Sequence, residues 1–371
     1  MSEKTNGTGA VVAKHPATEN GKKGFPLTKI VCVLLIVCAA FLLVVGIVNA
    51  VIDSFTSKMN GPAINDAEKK VDSIKDMGMY DLDYLNTKAV YIEACDKVLA
   101  NVADASTSII DDANVLNIVI AGIGKFDGEE TGEADIIVLA SINKSTKAVK
   151  YIFMEKLLLA YIPTVGIGHL NDAYEWGGAP LLAKTVMHNL GVKVDGYVEM
   201  DIQACLKMVD SVGGISIDGT DAKVTELNAS IKAYNDRMGL TGDNAVKDVA
   251  LADGKIALNG QQTIAYVRGA DDNRFEQIKT VFSKISAKLA GAGLGGAMDC
   301  LGIATESMVV YLEEGDFSDM IKIGLGMFDG ANVVDGIGAT EKYCLPSDFR
   351  PIVTWDYEAE RALIANAIYG E

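Results

Sequence analysis

Arginine is scarce in this chain of 371 residues: there are five, Arg237, Arg268, Arg274, Arg350 and Arg361. Lysine carries most of the positive charge, and positive charge is itself in deficit. Lys and Arg number 33 against 50 Asp and Glu, a formal net charge of −17. Residues 1–29 hold five lysines against two glutamates, and Ile30 to Ile52 hold no charge, so the rest of the chain carries −20. A domain that acidic lacks the basic face that neutralises phosphates along a nucleic acid, which excludes DNA or RNA held by electrostatics. Cysteine is sparse as well. Cys32 and Cys38 lie in an apolar stretch, while Cys95, Cys205, Cys300 and Cys344 are far apart, with no CxxC and no histidine at ligand spacing. That spacing argues against zinc. The last four read either as buried free thiols or as disulfides in one of three connectivities. Aromatics are modest at 7%, yet hydrophobic residues make up 49%, enough core for one large domain or two ordinary ones.

What the sequence does have is one long uncharged run. IVCVLLIVCAAFLLVVGIVNAVI, residues 30–52, spans 23 residues with Asn49 as its one strongly polar member. As a helix it is roughly 34 Å long, enough to cross a hydrocarbon core of about 30 Å. A signal peptide has a shorter apolar region, about 7–15 residues, and ends in a small-residue cleavage site that VIDSFTSKMN does not supply. The run therefore reads as one uncleaved transmembrane helix. The Lys-bearing segment before it, rich in Gly and Thr, reads as a disordered cytoplasmic tail over 1–29. Everything after Ile52 is then extracytoplasmic, on a single-pass protein of the cell membrane.

Residues 53–112 show apolar spacing of three and four in VDSIKDMGMYDLDYL and AVYIEACDKVLANVADA, a helical stalk or accessory region. The remaining 113–371 alternate strand and helix signals. VLNIVIAGIG reads as a buried strand, and Ile136–Ile142 and Ala148–Met154 as two strands joined by an Asn-Lys-Ser-Thr turn. GGAPLLAKTVMHNLGV, 177–192, has proline near a helix start and Gly191 as its stop. GYVEMD, then IQACLKMVDSVGG, then ISIDG read as strand, helix, strand. Residues 221–250 look like a polar insertion with scattered helix signals. GKIALNGQQTIAYVR gives a turn and a short helix, FEQIKTVFSKISAKLAG a strong amphipathic helix, and the last thirty residues a strand-like stretch, a loop and a terminal helix. This order predicts an α/β domain, a central mixed sheet flanked by helices on both faces.

Two of the five arginines fall together in AYVRGADDNRFEQ, 265–277, with Asp271 and Asp272 between them. A guanidinium fork matches a phosphate with two hydrogen bonds. Two forks beside two carboxylates could hold a phosphate and a divalent cation, or form ordinary ion pairs at a helix end.

Six segments, in order, bear on that choice by resemblance. NIVIAGIGKF, EADIIVLASINKSTKAVKYIFMEKLLLAYIPT, GHLNDAYEWGG, VDGYVEMDIQACLKMVDSVGGI, LNGQQTIAYVRGA and DDNRFEQIK resemble the recurrent segments of the LytR–CpsA–Psr (LCP) family of bacterial cell-envelope proteins, over roughly residues 115–290. The resemblance implies an LCP-like α-β-α domain behind one N-terminal transmembrane helix. It implies a phosphotransferase that moves a glycopolymer from a polyprenyl-pyrophosphate carrier in the membrane lipid to peptidoglycan, with Mg2+ assisting. An apolar slot for the lipid tail is expected. Asp135 matches the family's metal-ligating aspartate and, with Arg268 and Arg274, the catalytic set. Lys156, Asn171, Arg268 and Arg274 stand at phosphate-contacting positions, and Asp135, Asp127 and Asp272 are the candidate metal ligands. Asn171 and Tyr174 match a polar wall, and His169 stands where the family has lysine. The chain departs from the family pattern at Gly124 and Leu157, where aspartates are usual, and at Phe126, Glu133 and Ala270, where arginines are. A later Arg-Gln pair falls on Gln277 and Ile278. Those departures leave a second reading, a catalytically impaired paralogue that binds polyprenyl phosphate or wall glycan, or scaffolds envelope enzymes. The family is also named for cell envelope-related transcriptional attenuators, but an acidic domain outside the membrane does not contact DNA.

Overall fold

A computed structural model describes residues 61–66, 89–105, 109–124, 132–146, 148–268, 308–312, 341–343 and 352–370, with Gln277, Thr280, Val281, Lys284, Ile285, Ala287 and Lys288 between them. The expected tail at 1–29, the transmembrane helix at 30–52, and Cys32, Cys38, Cys300 and Cys344 lie outside the described residues. Among the described residues no helix is long and apolar enough to cross a membrane.

The centre is a five-stranded sheet. Its strands are β1 (Val115–Ile123), β2 (Ala134–Asn143), β3 (Val149–Met154), β6 (Gly196–Asp201) and β10 (Met308–Leu312), in the order β10-β6-β1-β2-β3. β1 runs parallel to β6 and every other pairing is antiparallel, so the sheet is mixed. All nine residues of β1 are buried, as a strand covered on both faces requires. Leu116, Ile118 and Ile120 point into one layer. Val115, Val119, Ala121 and Ile123 point into the other.

The first layer is made by α3 (Ile202–Ser211), α4 (Asp221–Met238) and α5 (Gly260–Arg268). Met208, Ile231 and Ile264 represent them in the core. A small sheet of β7 (Ile215–Asp218), β9 (Lys255–Leu258) and β8 (Leu251–Ala252) flanks these helices. The stretch expected as an insertion is α4, an 18-residue helix. Thr220 caps its start by accepting from the Lys223 N–H, and left-handed Gly239 stops it. It is held by a narrow stripe, Leu227, Ile231 and Tyr234, spaced by four and three. The described members of the expected amphipathic helix are helical, and Gln277, Val281 and Ile285 are buried at spacing of four.

The second layer holds α1 (Ala89–Ala105), the hairpin β4 (Leu159–Ile162) and β5 (Gly166–His169), α2 (Asp172–Leu190) and α6 (Tyr357–Tyr369). Val98, Trp176, Leu182, Val186 and Ile364 fill it. Cys95, on α1, is a free thiol, and burial raises its pKa above the ordinary thiol value. α2 starts five residues before the expected helix and is broken once, at Gly178, with φ 70° and ψ −166°. The break lies two residues before Pro180, whose ring disfavours helical geometry just ahead of it. Gly191 ends the helix in the left-handed region, its N–H donating to Met187 O, as its sequence position predicts.

Two outlying strands, β11 (Glu341–Tyr343) and β12 (Ile352–Thr354), pair with each other. α6 is tied down by polar contacts: Arg361 donates to Asn101 O at 3.1 Å and Leu190 O at 3.4 Å, and Lys150 Nζ donates to Ala367 O. At the other margin, residues 61–66 lie against the β6–β10 edge. Gly61 N donates to Val310 O at 3.4 Å, and Tyr197 Oη donates to Pro62 O at 2.7 Å. A Cβ on Gly61 would stand 2.4 Å from the Tyr197 hydroxyl, so this seat accepts glycine alone without movement.

Candidate active site

The parallel strands β1 and β6 end side by side, Ile123 opposite Asp201. β2 begins at the same edge, with Ala134 opposite Ile123, and β3 ends there at Met154. In α/β sheets, ligands bind outside the carboxyl ends of the parallel strands. Asp201 at this edge is a helix cap, accepting from Ala204 N at 2.9 Å.

A β-bulge places Asp135. Gly122 pairs with Ile136 and Ile123 with Ala134, which leaves Asp135 as the extra residue on β2. A bulge of this kind re-aims one side chain out of the strand's regular alternation. The β2–β3 pairing ends with Ile137 opposite Met154, and Lys156 lies in the turn that follows β3. Its side chain and that of Asp135 form an ion pair, Lys156 Nζ to Asp135 Oδ1. The same ammonium donates to Glu133 Oε2 at 3.2 Å. The side chains of Asp135 and Lys156 are 1% and 8% exposed, and that of Glu133 is 24% exposed. An ion pair this well shielded from water is tightly coupled, and removing one partner leaves a buried charge uncompensated.

The turn before α2 closes over this trio. Asn171 N donates to Lys156 O at 3.0 Å. The Asn171 side chain is buried and does not cap the helix, and its Oδ1 has no hydrogen-bond partner among the described residues. His169 N donates to Asp172 Oδ2 at 2.8 Å, and His169 Nδ1 lies 3.5 Å from the same oxygen, both side chains fully buried. His169 therefore builds the turn. Tyr174 Oη donates to Glu199 Oε1 at 2.9 Å, linking α2 to β6.

The structure thus brings Asp135, Lys156 and Asn171 together at one sheet edge. Arg268 is the last residue of α5, but its side chain lies outside the described residues, as do Asp127, Asp271, Asp272 and Arg274. Sequence reasoning missed Glu133 as a partner of Lys156 and Glu199 as a partner of Tyr174. A signal for the first was present: the family's arginine at 133 has become acidic while position 156 has kept a cation. For Glu199, a strand residue between two buried neighbours, there was none.

Two carboxylates and one ammonium leave the trio at −1, so it does not attract an anion by itself, and a phosphate here depends on added guanidinium charge. Mg2+ takes a near-octahedral shell of oxygens. Of the three carboxylates expected to hold it, Asp127 and Asp272 are not among the described residues, and Asp135 carries an ammonium on Oδ1. Among the described residues no group of three or more His, Cys, Asp or Glu side chains is placed to hold a metal ion. The described donors do not fit a divalent cation.

A sequence model of the LytR_cpsA_psr family matches residues 83–310. Biofilm regulatory protein A of Streptococcus mutans is 25% identical over 198 residues, covering 49% of this chain and 46% of that protein. Polyisoprenyl-teichoic acid–peptidoglycan teichoic acid transferase TagU of Bacillus licheniformis is 25% identical over 162 residues, 43% of this chain and 45% of that one. The chain spans about half the length of the curated relatives it matches. Among solved structures, protein gbs0355 from Streptococcus agalactiae superposes with a TM-score of 0.56 at 19% identity, covering 70% of this chain and 89% of that chain.

Proposed function

The chain belongs to the LytR_cpsA_psr family, and on that premise we propose that it is a membrane-anchored phosphotransferase that joins an envelope glycopolymer to peptidoglycan. Residues 30–52 are the anchor, 1–29 a cytoplasmic tail, 53–112 an accessory region whose residues 61–66 and α1 pack on the domain, and 113–371 the extracytoplasmic domain that does the chemistry. The reading is carried by the match over 83–310 to a family that includes a relative named as a teichoic acid transferase. Asp135 at the sheet edge, where that family's carboxylate is expected, supports it.

In this reading the pyrophosphate of a polyprenyl-linked glycan lies outside the ends of β1 and β6. Arg268 and Arg274 clamp its phosphates, and the Asn171 amide contacts a phosphate oxygen. A sugar hydroxyl of peptidoglycan attacks the phosphorus that carries the glycan. The new O–P bond forms as the bond to the bridging oxygen breaks, polyprenyl phosphate leaves, and the hydroxyl proton passes to a carboxylate. Asp135 is the carboxylate at hand, with Lys156 holding it in place.

The test uses the full chain in detergent with a polyprenyl-pyrophosphate-linked glycan and peptidoglycan. Glycan becomes wall-bound and polyprenyl phosphate is released. Arg268→Ala and Arg274→Ala each slow release by roughly 10- to 150-fold, the kinetic equivalent of losing a charge-assisted contact worth about 1.5–3 kcal/mol. No release, under conditions where a TagU-type transferase turns over, overturns the proposal. One observation favours a second reading, an impaired paralogue that binds polyprenyl phosphate or wall glycan or scaffolds envelope enzymes. Glu133 and Asp135 both sit on Lys156, and Gly124, Leu157 and Ala270 remove further family charges. Stoichiometric capture of prenyl phosphate without turnover distinguishes it.

A further inference from the structure

We propose that the Lys156 ammonium is the resident cation of this site, standing on Asp135 where the family resemblance places Mg2+, and that it bars a divalent cation from that carboxylate. Three observations carry this. The bulge at Gly122/Ile123 leaves Asp135 outside the regular β1–β2 pairing, and Lys156 follows two residues after the end of β3, in a turn tied by its own carbonyl to the Asn171 N–H, so the backbone on both sides of the pair is held. The pair does not depend on the chance reach of a long surface side chain. The second observation is burial. The Asp135 and Lys156 side chains are 1% and 8% exposed, so little water stands between the ammonium and anything else that approaches the carboxylate. A divalent ion there would meet a like charge with little dielectric screening.

The third is Glu133. At a position where the resemblance leads to expect arginine, the chain has a carboxylate, and it donates no charge relief to an incoming anion. Instead it accepts from Lys156 at 3.2 Å. Position 133 is negative and position 156 positive, so both carboxylates of the trio are drawn onto one ammonium. A lysine held by two carboxylates is fixed in place, as a bound metal ion would be, and it offers the site one positive charge in place of two. The site gains a cation that no chelator can remove and loses the oxygen shell that a hard divalent ion needs.

The functional meaning of this exchange rests on the transferase reading, but its test does not, because it needs no substrate. Mn2+ serves as the probe, and its electron paramagnetic resonance signal distinguishes free from bound ion in samples of the full chain in detergent. Three proteins are compared: wild type, Lys156→Met and the double variant Lys156→Met/Asp135→Asn. Lys156→Met is expected to bind Mn2+ at least tenfold more tightly than wild type, and the double variant to lose that gain. Lys156→Met binding no better than wild type overturns the proposal. Should Lys156→Met fail to fold, as judged by circular dichroism, wild type and Asp135→Asn alone decide it. Mn2+ affinity unchanged by Asp135→Asn supports the proposal, and affinity lost with Asp135→Asn overturns it. Failure of the transfer assay leaves all of these outcomes readable.

Discussion

Lys156 shows how one side chain sets the chemistry of its surroundings. Its ammonium lies between Asp135 and Glu133 with little access to water. Removing it takes the ammonium partner from a buried carboxylate, which costs about 3–5 kcal/mol. Urea unfolding of Lys156→Met is expected to show a loss in that range. Lys156→Met/Asp135→Leu should recover most of it, because an apolar pair of similar volume tolerates the same burial. His188, in the last turn of α2, gives a second prediction at this scale. Burial, and then the nearby Lys184, lower its pKa. The folded form therefore resists protonation that the unfolded chain accepts below about pH 6.5. The stability from neutral His188 is complete well above that value and declines as pH falls from it toward the depressed folded value. Melting temperatures between pH 7.5 and 5.5 should fall more for wild type than for His188→Gln. Asp135, Lys156 and Asn171 were legible in the sequence because they sit in recognisable segments. Glu133 was legible only as an apparent loss; a substitution away from arginine does not reveal its new partner until the strand register is known.

Elements were read best where hydrophobic periodicity was strong. β1, β2, β3 and β6 lie close to where the apolar runs put them, because strands buried on both faces need such runs. α4 was obscured because it buries only Leu227, Ile231 and Tyr234 out of 18 residues, a stripe too thin to stand out in a polar stretch. β10 was obscured for the opposite reason. MVVYL is five residues long, and its identity as a strand comes from β6 alongside it, far earlier in the chain. In α2, proline and Gly191 were read correctly, but the helical turn before the break could not be seen without the backbone at Gly178. That glycine adopts φ 70° and ψ −166°, a region open almost solely to glycine. The nearest atom to a Cβ there is Pro180 Cδ at 3.6 Å, so space is not the obstacle and the cost is conformational. Gly178→Ala is expected to destabilise by about 1–3 kcal/mol, read as a lower urea midpoint with an unchanged slope.

At the scale of the whole molecule, the sheet divides two apolar layers, and the segments at the two ends of the described chain hold them from outside. α6 closes one layer through Arg361, Lys150 and Tyr357, whose hydroxyl donates to Leu159 O. Residues 61–66 close the far edge through Pro62 and Tyr197. The fold class was legible because helices and strands alternate along the sequence. The edge contacts were not, because Gly61 and Pro62 belong to no periodic pattern.

Under the proposed membrane anchoring, that seat for Gly61 and Pro62 would work as a short leash. With the proposed anchor ending at Ile52, Asp53 to Asn60 supply eight residues, a span of at most ~29 Å when fully extended. On that proposal the β6–β10 margin is kept within one such length of the bilayer surface, within reach of the proposed polyprenyl-linked carrier. Inserting about twelve Gly and Ser residues after Asn60 frees the domain without touching its core. Transfer from a carrier embedded in vesicles is expected to drop several-fold, while turnover of a detergent-dispersed carrier stays as it was.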